Sequence, residues 1–355
     1  MRARRREAGW KFTGSLVVPL IFANGCVDGR KAPAFAPEVS VEVLDEIGSQ
    51  DRPGLVFGLI SDVEVLADGS FLVLDRGRAE VLHVSPRGEL IAAFGGEGGG
   101  PAEFAGPLEI DVVGPDAYVV LNGDRPYLTH VAIEGASHEH VANVPLPFMA
   151  LHLCGTDGGF VLDPVMGSHA LAKADREGSI LREYHRVPDP LDESFPPEAQ
   201  GLMRMWEGMA IPRCLPGGGV LMLSQWSPFV GRFAADGTLN WSIDLAEYRA
   251  LHWEAGPDGS PEPTIPDGES VHQGATIIPL GTDLLLVQLI VVTDDAGAVD
   301  DDPAEIRLVR PSDGSQSRHD IALPRIAHVE EGRAYGWSNS PYPRLVLMSL
   351  DVSLN

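Results

Sequence analysis

The sequence predicts an all-β ring built from six copies of one antiparallel sheet. Three observations carry that prediction. Six times a Gly- or Asp-rich turn precedes a short apolar run: Phe71–Leu74, Tyr118–Leu121, Phe160–Leu162, Val220–Leu223, Leu284–Val287 and Ala334–Trp337. In five of these units a second turn follows, at Arg87-Gly88, Glu134-Gly135, Glu177-Gly178, Asp236-Gly237 and Asp313-Gly314. Finally, Val39 to Leu44 alternates apolar and polar residues ahead of the first unit and belongs to none of them. A repeated unit of this size cannot bury its own apolar faces, so the copies must stack. Stacking round an axis makes a six-bladed β-propeller with four strands per blade, in the order a, b, c, d.

Taken in chain order, the first element is a leader. Arg2, Arg4, Arg5, Arg6 and Lys11 precede a mostly apolar stretch from Phe12 to Ala23, and Gly25-Cys26 closes it. A basic start, an apolar middle and a small residue before the cut are the parts of an export signal. Gly14 and Pro19 interrupt the stretch, which is short for a spanning helix. The small residue before Cys26 resembles the lipobox of bacterial lipoproteins, although Ala23 stands where Leu is usual. The expectation is a signal peptide over 1–25, a lipid-anchored tether over 26–38 beginning at a lipidated Cys26, and one propeller domain over 39–355. A secreted chain and an uncleaved anchor are the alternatives. On the first reading the protein is exported to the bacterial envelope, as a monomer in the periplasm or on the cell surface, with its lipid as its sole membrane contact.

The six units follow. Each opens with a turn, such as Asp68-Gly69 or Gly217-Gly218, that supplies the positive φ a tight hairpin needs. The sixth unit holds a strand c near Arg344 to Leu350 and no further strand. Its missing partner is the leading segment at Val39–Leu44, which closes the ring as the outer strand of the last blade and removes the seam.

At this point a resemblance can be named. Leu72-Val73-Leu74-Asp75, Val81-Leu82-His83-Val84, Gly88-Glu89-Leu90 and the run from Phe94 through Gly95–Gly100 to Phe104 resemble an NHL-type repeat. The chain is similar to the six-bladed β-propeller lipoproteins of bacteria, most sharply over residues 60–107. The resemblance implies a propeller and no single activity, since the fold hosts binders, lyases and lactonases.

Strand order assigns the faces. The a–b and c–d turns share one face; the b–c and d–a connections share the other. The long connections, 95–107, 187–208, 246–274 and the acidic stretch Asp294, Asp295, Asp300, Asp301 and Asp302, all fall on the second face. Long loops on a rigid scaffold are where function concentrates. Strand b reaches that face at Asp75, Asn122, Asp163, Ser224, Gln288 and Ser338, with Arg76 and Trp226 close by. These residues are either ligand-facing or bonded to the neighbouring turn backbone. Strand a lines the channel, so Asp62, Glu64, Glu109 and Asp111 cluster there on two adjacent blades, near Arg213 and Arg325. Four carboxylates are candidate ligands for Ca²⁺, or simply a wet channel wall. Cys154 and Cys214 share a register on neighbouring strands and read as buried thiols, with a disulfide as the alternative.

Charge and missing motifs narrow the function. The net charge of −25 excludes nucleic-acid binding by counterion release. There is no zinc signature, no Gly-x-Ser-x-Gly elbow and no phosphate loop. His138 and His140 share a strand face and are expected at a solvated outer edge. His152 and His328 are the channel histidines and fall in different registers, which weakens a three-His zinc site. The sequence favours a non-catalytic envelope protein that recognises a protein, peptide or glycan on the long-loop face. The alternative is a metal-dependent lyase or lactonase at the channel mouth, with Ca or Zn held by Asp62, Glu64, Glu109 and Asp111. No other cofactor is expected.

Overall fold

The protein is described here by a computed structural model over residues 35–48, 55–156, 158–188, 194–196, 199–293 and 302–354. Six four-stranded antiparallel sheets follow one another along the chain. Blade 1 is β2 (Ile60–Val65), β3 (Phe71–Asp75), β4 (Glu80–Val84) and β5 (Leu90–Gly95). Blade 2 is β6 (Pro107–Gly114), β7 (Ala117–Asn122), β8 (Tyr127–Glu134) and β9 (Ser137–Pro145). Blade 3 is β10 (Ala150–Thr156), β11 (Gly159–Pro164), β12 (His169–Ala174) and β13 (Ile180–Arg186). Blade 4 is β14 (Ala210–Cys214), β15 (Val220–Ser224), β16 (Phe229–Phe233) and β17 (Leu239–Asp244). Blade 5 is β20 (Ser270–Pro279), β21 (Leu285–Thr293), β22 (Glu305–Arg310) and β23 (Ser315–His319). Blade 6 is β24 (Arg325–Glu330), β25 (Arg333–Ser338), β26 (Arg344–Ser353) and, as its outer strand, β1 (Glu38–Ile47). Val41 pairs with Leu350, so the leading strand closes the ring as the alternation implies. Phe35, ahead of β1, packs on the blade 5–6 core under the Arg310 guanidinium.

Burial explains the strand patterns. Strand b of each blade lies between two neighbours and under adjoining blades, so β3 and β15 are buried along their whole length and read as continuous apolar runs. The outer strand β9 alternates exposed and half-buried residues, as a sheet with one wet face does. Between blades 1 and 2 the core holds Leu72, Leu74, Val81, Phe104, Ile110, Tyr118 and Val120. Each such side chain contributes on the order of 1.5–3 kcal/mol by leaving water. Phe104 comes from the Gly-rich connection. It docks because Gly95, at φ +121°, leaves room for its ring: a Cβ there would sit 2.5 Å from Phe104 and 2.7 Å from the Ala79 carbonyl oxygen.

The long connections carry structure that the turn pattern does not announce. Residues 187–208 include helix α1 (Gly201–Gly208), and residues 246–274 include a hairpin of β18 (His252–Ala255) and β19 (Pro261–Thr264). Among the described residues no helix is long and apolar enough to cross a membrane. The leader with Cys26, and Asp294, Asp295, Asp300 and Asp301, lie outside the described residues.

Two expectations are corrected. Cys154 and Cys214 form a disulfide, with Cα atoms 5.5 Å apart, because β10 and β14 converge near the axis. His138 is not a solvated edge residue. It packs between blades 1 and 2, where Nε2 lies 3.2 Å from His83 Nδ1 and Nδ1 lies 3.0 Å from the Tyr118 hydroxyl. His140 stays at the periphery beside Asn143.

Candidate binding site at the channel mouth

The inner strands surround a channel. Its interior, about 250 Å³, is lined by Asp62, Glu64, Glu109, Asp111, Arg213 and the disulfide, among others. At the long-loop face it opens into a mouth of about 300 Å³. Strand a lines the channel as expected, and Asp62, Glu64, Glu109 and Asp111 all face into it.

Most of the channel carboxylates fasten blade to blade. The Ile110 amide of blade 2 donates to Asp62 Oδ2 of blade 1 at 3.0 Å. The Leu153 amide of blade 3 donates to Glu109 Oε2 at 2.7 Å, and the Gly155 amide to Asp111 Oδ2 at 2.7 Å. Glu109 Oε1 also holds His152 Nδ1 in a short ion pair. Other seams use other groups. The Asn339 side chain brackets both backbone polar groups of Ile60, joining blade 6 to blade 1. Gln288 of blade 5 accepts from the Ile326 amide and donates to the Pro324 carbonyl. The Gly274 amide donates to the Gln225 carbonyl between blades 4 and 5 at 2.7 Å. The disulfide joins blades 3 and 4.

Crowding in a narrow channel shifts the titration of Asp62, Glu64 and Asp111. Burial, then the nearby Glu109 charge, raises Asp62 to about 8. Burial raises Asp111 to about 6, with the Gly155 amide and Arg213 opposing it. Glu64 stands well above the usual carboxylate range through burial and the neighbouring Asp111 and Asp62. His152 behaves oppositely. Burial pushes its imidazole down, but the Glu109 carboxylate outweighs that and lifts it to about 9. At neutral pH the cluster is thus partly protonated acid beside an imidazolium. Among the described residues no group of three or more His, Cys, Asp or Glu side chains has a metal-holding arrangement.

The polar ring at the ends of the b strands belongs to the scaffold. Asp75, Asn122, Asp163, Ser224, Gln288 and Ser338 are all buried. Asp75 accepts the amides of Gly58, Leu59 and Arg78. Asn122 accepts the Ala105 amide, and Asp163 those of Leu151 and His152. Ser224 accepts the Ser227 amide, and Ser338 donates to Asp302 and the Ser340 carbonyl. Trp226 is buried too, packed at a tilt of 56° against Trp206 of α1 with ring centres 4.8 Å apart. Of the residues first read as ligand-facing, Arg76 alone both lines the mouth and is exposed.

Sequence reasoning placed Arg325 at the channel but missed Gln225, Gln273, Trp337 and Asn339 as mouth residues. Gln225 directly follows ring residue Ser224, and Asn339 directly follows Ser338. A shift of one position past the ring would have found both.

No known family profile matches the chain, and no curated protein matches it. Solved structures do. A putative exported protein from Bacteroides fragilis aligns over 88% of this chain and 95% of its own, at 9% identity and a TM-score of 0.59. A member of the DUF4221 family from Bacteroides vulgatus aligns over 90% and 99%, at 8% identity and a TM-score of 0.57. The PQQ-bound aldose sugar dehydrogenase from Streptomyces coelicolor aligns over 90% and 100%, at 11% identity and a TM-score of 0.50. At such identities the likeness is one of fold, a β-propeller architecture that one of these relatives, described as exported, also has.

Proposed function

We propose that this protein is an exported, lipid-anchored binder that recognises an envelope protein, peptide or glycan at the mouth on the long-loop face, without chemical turnover. One observation carries the reading. Asp62, Glu109 and Asp111, which a hydrolase or lyase would need free, are occupied by backbone amides. At the mouth the reverse holds: the side chains of Arg76, Gln225 and Gln273 make no hydrogen bond to any described residue. Polar groups left unpaired in a concave site are groups awaiting a ligand. The leader supplies the anchor at Cys26, and the similarity to a protein described as exported agrees with that location.

The test is enrichment from envelope extract on the purified full chain, beside a Gln225→Ala/Gln273→Ala double variant. The expected result is one component recovered chemically unchanged, about one per chain as for a single mouth, and lost in the double variant. Recovery of an altered product, or turnover that a chelator abolishes, would replace this reading with the lyase or lactonase alternative.

A further inference from the structure

We infer that the mouth takes a carboxylate, presented end-on by a small ligand; this rests on the mouth being the binding site. The whole chain is acidic, yet the mouth is rich in donors. Arg76 enters from blade 1, His152 from blade 3 and Arg325 from blade 6, while the neutral amides of Gln225 and Gln273 face in from blades 4 and 5. Two carboxylates also line it, and both are already engaged. Glu109 holds His152 and the Leu153 amide, and Asp302 accepts the Ser338 hydroxyl. Arg325 is engaged as well, so the donors left for a ligand are Arg76, the second ring nitrogen of His152 and the amides of Gln225 and Gln273.

The geometry suits a carboxylate better than a bare ion. Available donors stand on four sides of one cavity, and one of them, Arg76, is a planar fork that meets a carboxylate with two parallel bonds. His152 Nδ1 is committed to Glu109, which leaves Nε2 as the nitrogen that can donate to a ligand. The Glu109 pair keeps that ring charged at neutral pH. Trp337, with the Arg325 guanidinium 5.7 Å from its ring centre, offers an apolar wall to the body of the ligand. A carboxylate of this kind is found on an acidic sugar or at a peptide C-terminus.

Two matched pairs of probes test the inference by calorimetry on the full chain: D-glucuronate against glucuronamide, and N-acetyl-alanyl-alanine against its C-terminal amide. The acid of one pair should bind at least about tenfold more tightly than its amide, as a charge-assisted bidentate contact requires. The pair that responds identifies the source. Arg76→Ala should erase that preference without lowering the melting temperature, since the side chain is exposed and bonded to no described residue. His152→Gln should weaken acid binding while sparing the amide. Wild-type affinity for the acid should fall as pH rises through about 9, where His152 loses its proton. Equal binding of acid and amide, or no binding of either acid up to about 10 mM, a weak limit on the affinity scale, overturns the carboxylate assignment. If the enriched component is neutral, that assignment falls and mouth binding stands. If a probe is chemically converted, mouth binding without turnover falls instead.

Discussion

The seams on the two sides of blade 3 are fastened by different chemistry. Toward blade 2 the fasteners are ionisable: Glu109 and Asp111 accept amides from β10. Toward blade 4 the fastener is covalent, the Cys154–Cys214 disulfide between β10 and β14. The same inner strand thus answers to acid on one edge and to reductant on the other. A carboxylate latch holds only while its oxygens can accept, and it competes with its neighbours for charge. A disulfide is indifferent to pH and requires an oxidising compartment. That requirement is one that an exported chain, as proposed above, would meet.

Perturbations that split the two seams should differ in size. The largest effect belongs to the disulfide. Cys154 and Cys214 are 60 residues apart in sequence, and a closed loop of that length is worth about 4 kcal/mol by chain entropy. The Cys154→Ala/Cys214→Ala variant should lose roughly that in denaturant unfolding, and reductant should no longer affect it. Unchanged stability would remove the covalent seam from the comparison. Next comes Glu109→Ala, which strips the Leu153 amide of its acceptor and leaves the His152 charge unpaired. A loss of about 3 kcal/mol is expected, with His152 then titrating lower in a proton NMR titration.

Two further effects appear as slopes against pH. Asp62 titrates at about 8 in the folded chain against 3.8 for an ordinary aspartate. Between those values the native state keeps a proton that the unfolded chain has lost, so this group makes stability fall as pH climbs from about 4 to about 8. Asp62→Asn is neutral and close in shape, and it should flatten that slope in melting curves. His138 acts in the opposite sense and more weakly. Burial, with His83 beside it, holds it down to about 4 against 6.5. The unfolded chain therefore gains the proton first, and stability drops as pH falls from about 6.5 to about 4. His138→Phe should flatten the acid limb alone. If Asp62→Asn changes that limb instead, the attribution of the two slopes is wrong.

Much of this arrangement was legible in the residues. The two-residue period of strand a put Asp62, Glu64, Glu109 and Asp111 in the channel by counting from each strand b, because the pleat repeats without drift. The leading alternation at Val39–Leu44 was legible for the same reason. What could not be read was whether a polar side chain at a strand end faces outward or back. Asp75 and Gln288 carry the composition of a binding ring, yet the approach of the d–a backbone turns them inward. The disulfide was hidden because its formation depends on how closely β10 and β14 approach, a property of ring size rather than of spacing. Helix α1 was hidden within a Pro-rich connection. His138 was hidden because its partner, His83, lies on another blade.

The pairing of Val41 with Leu350 also has a kinetic side. The strand made first finds its neighbour only when the last stretch of polypeptide arrives. A chain threaded through a membrane from its leading end would emerge with that segment waiting, and the circle would remain incomplete until translocation had finished. Contacts that distant in sequence form slowly, which would keep an exported polypeptide loose enough to thread until its last stretch had crossed.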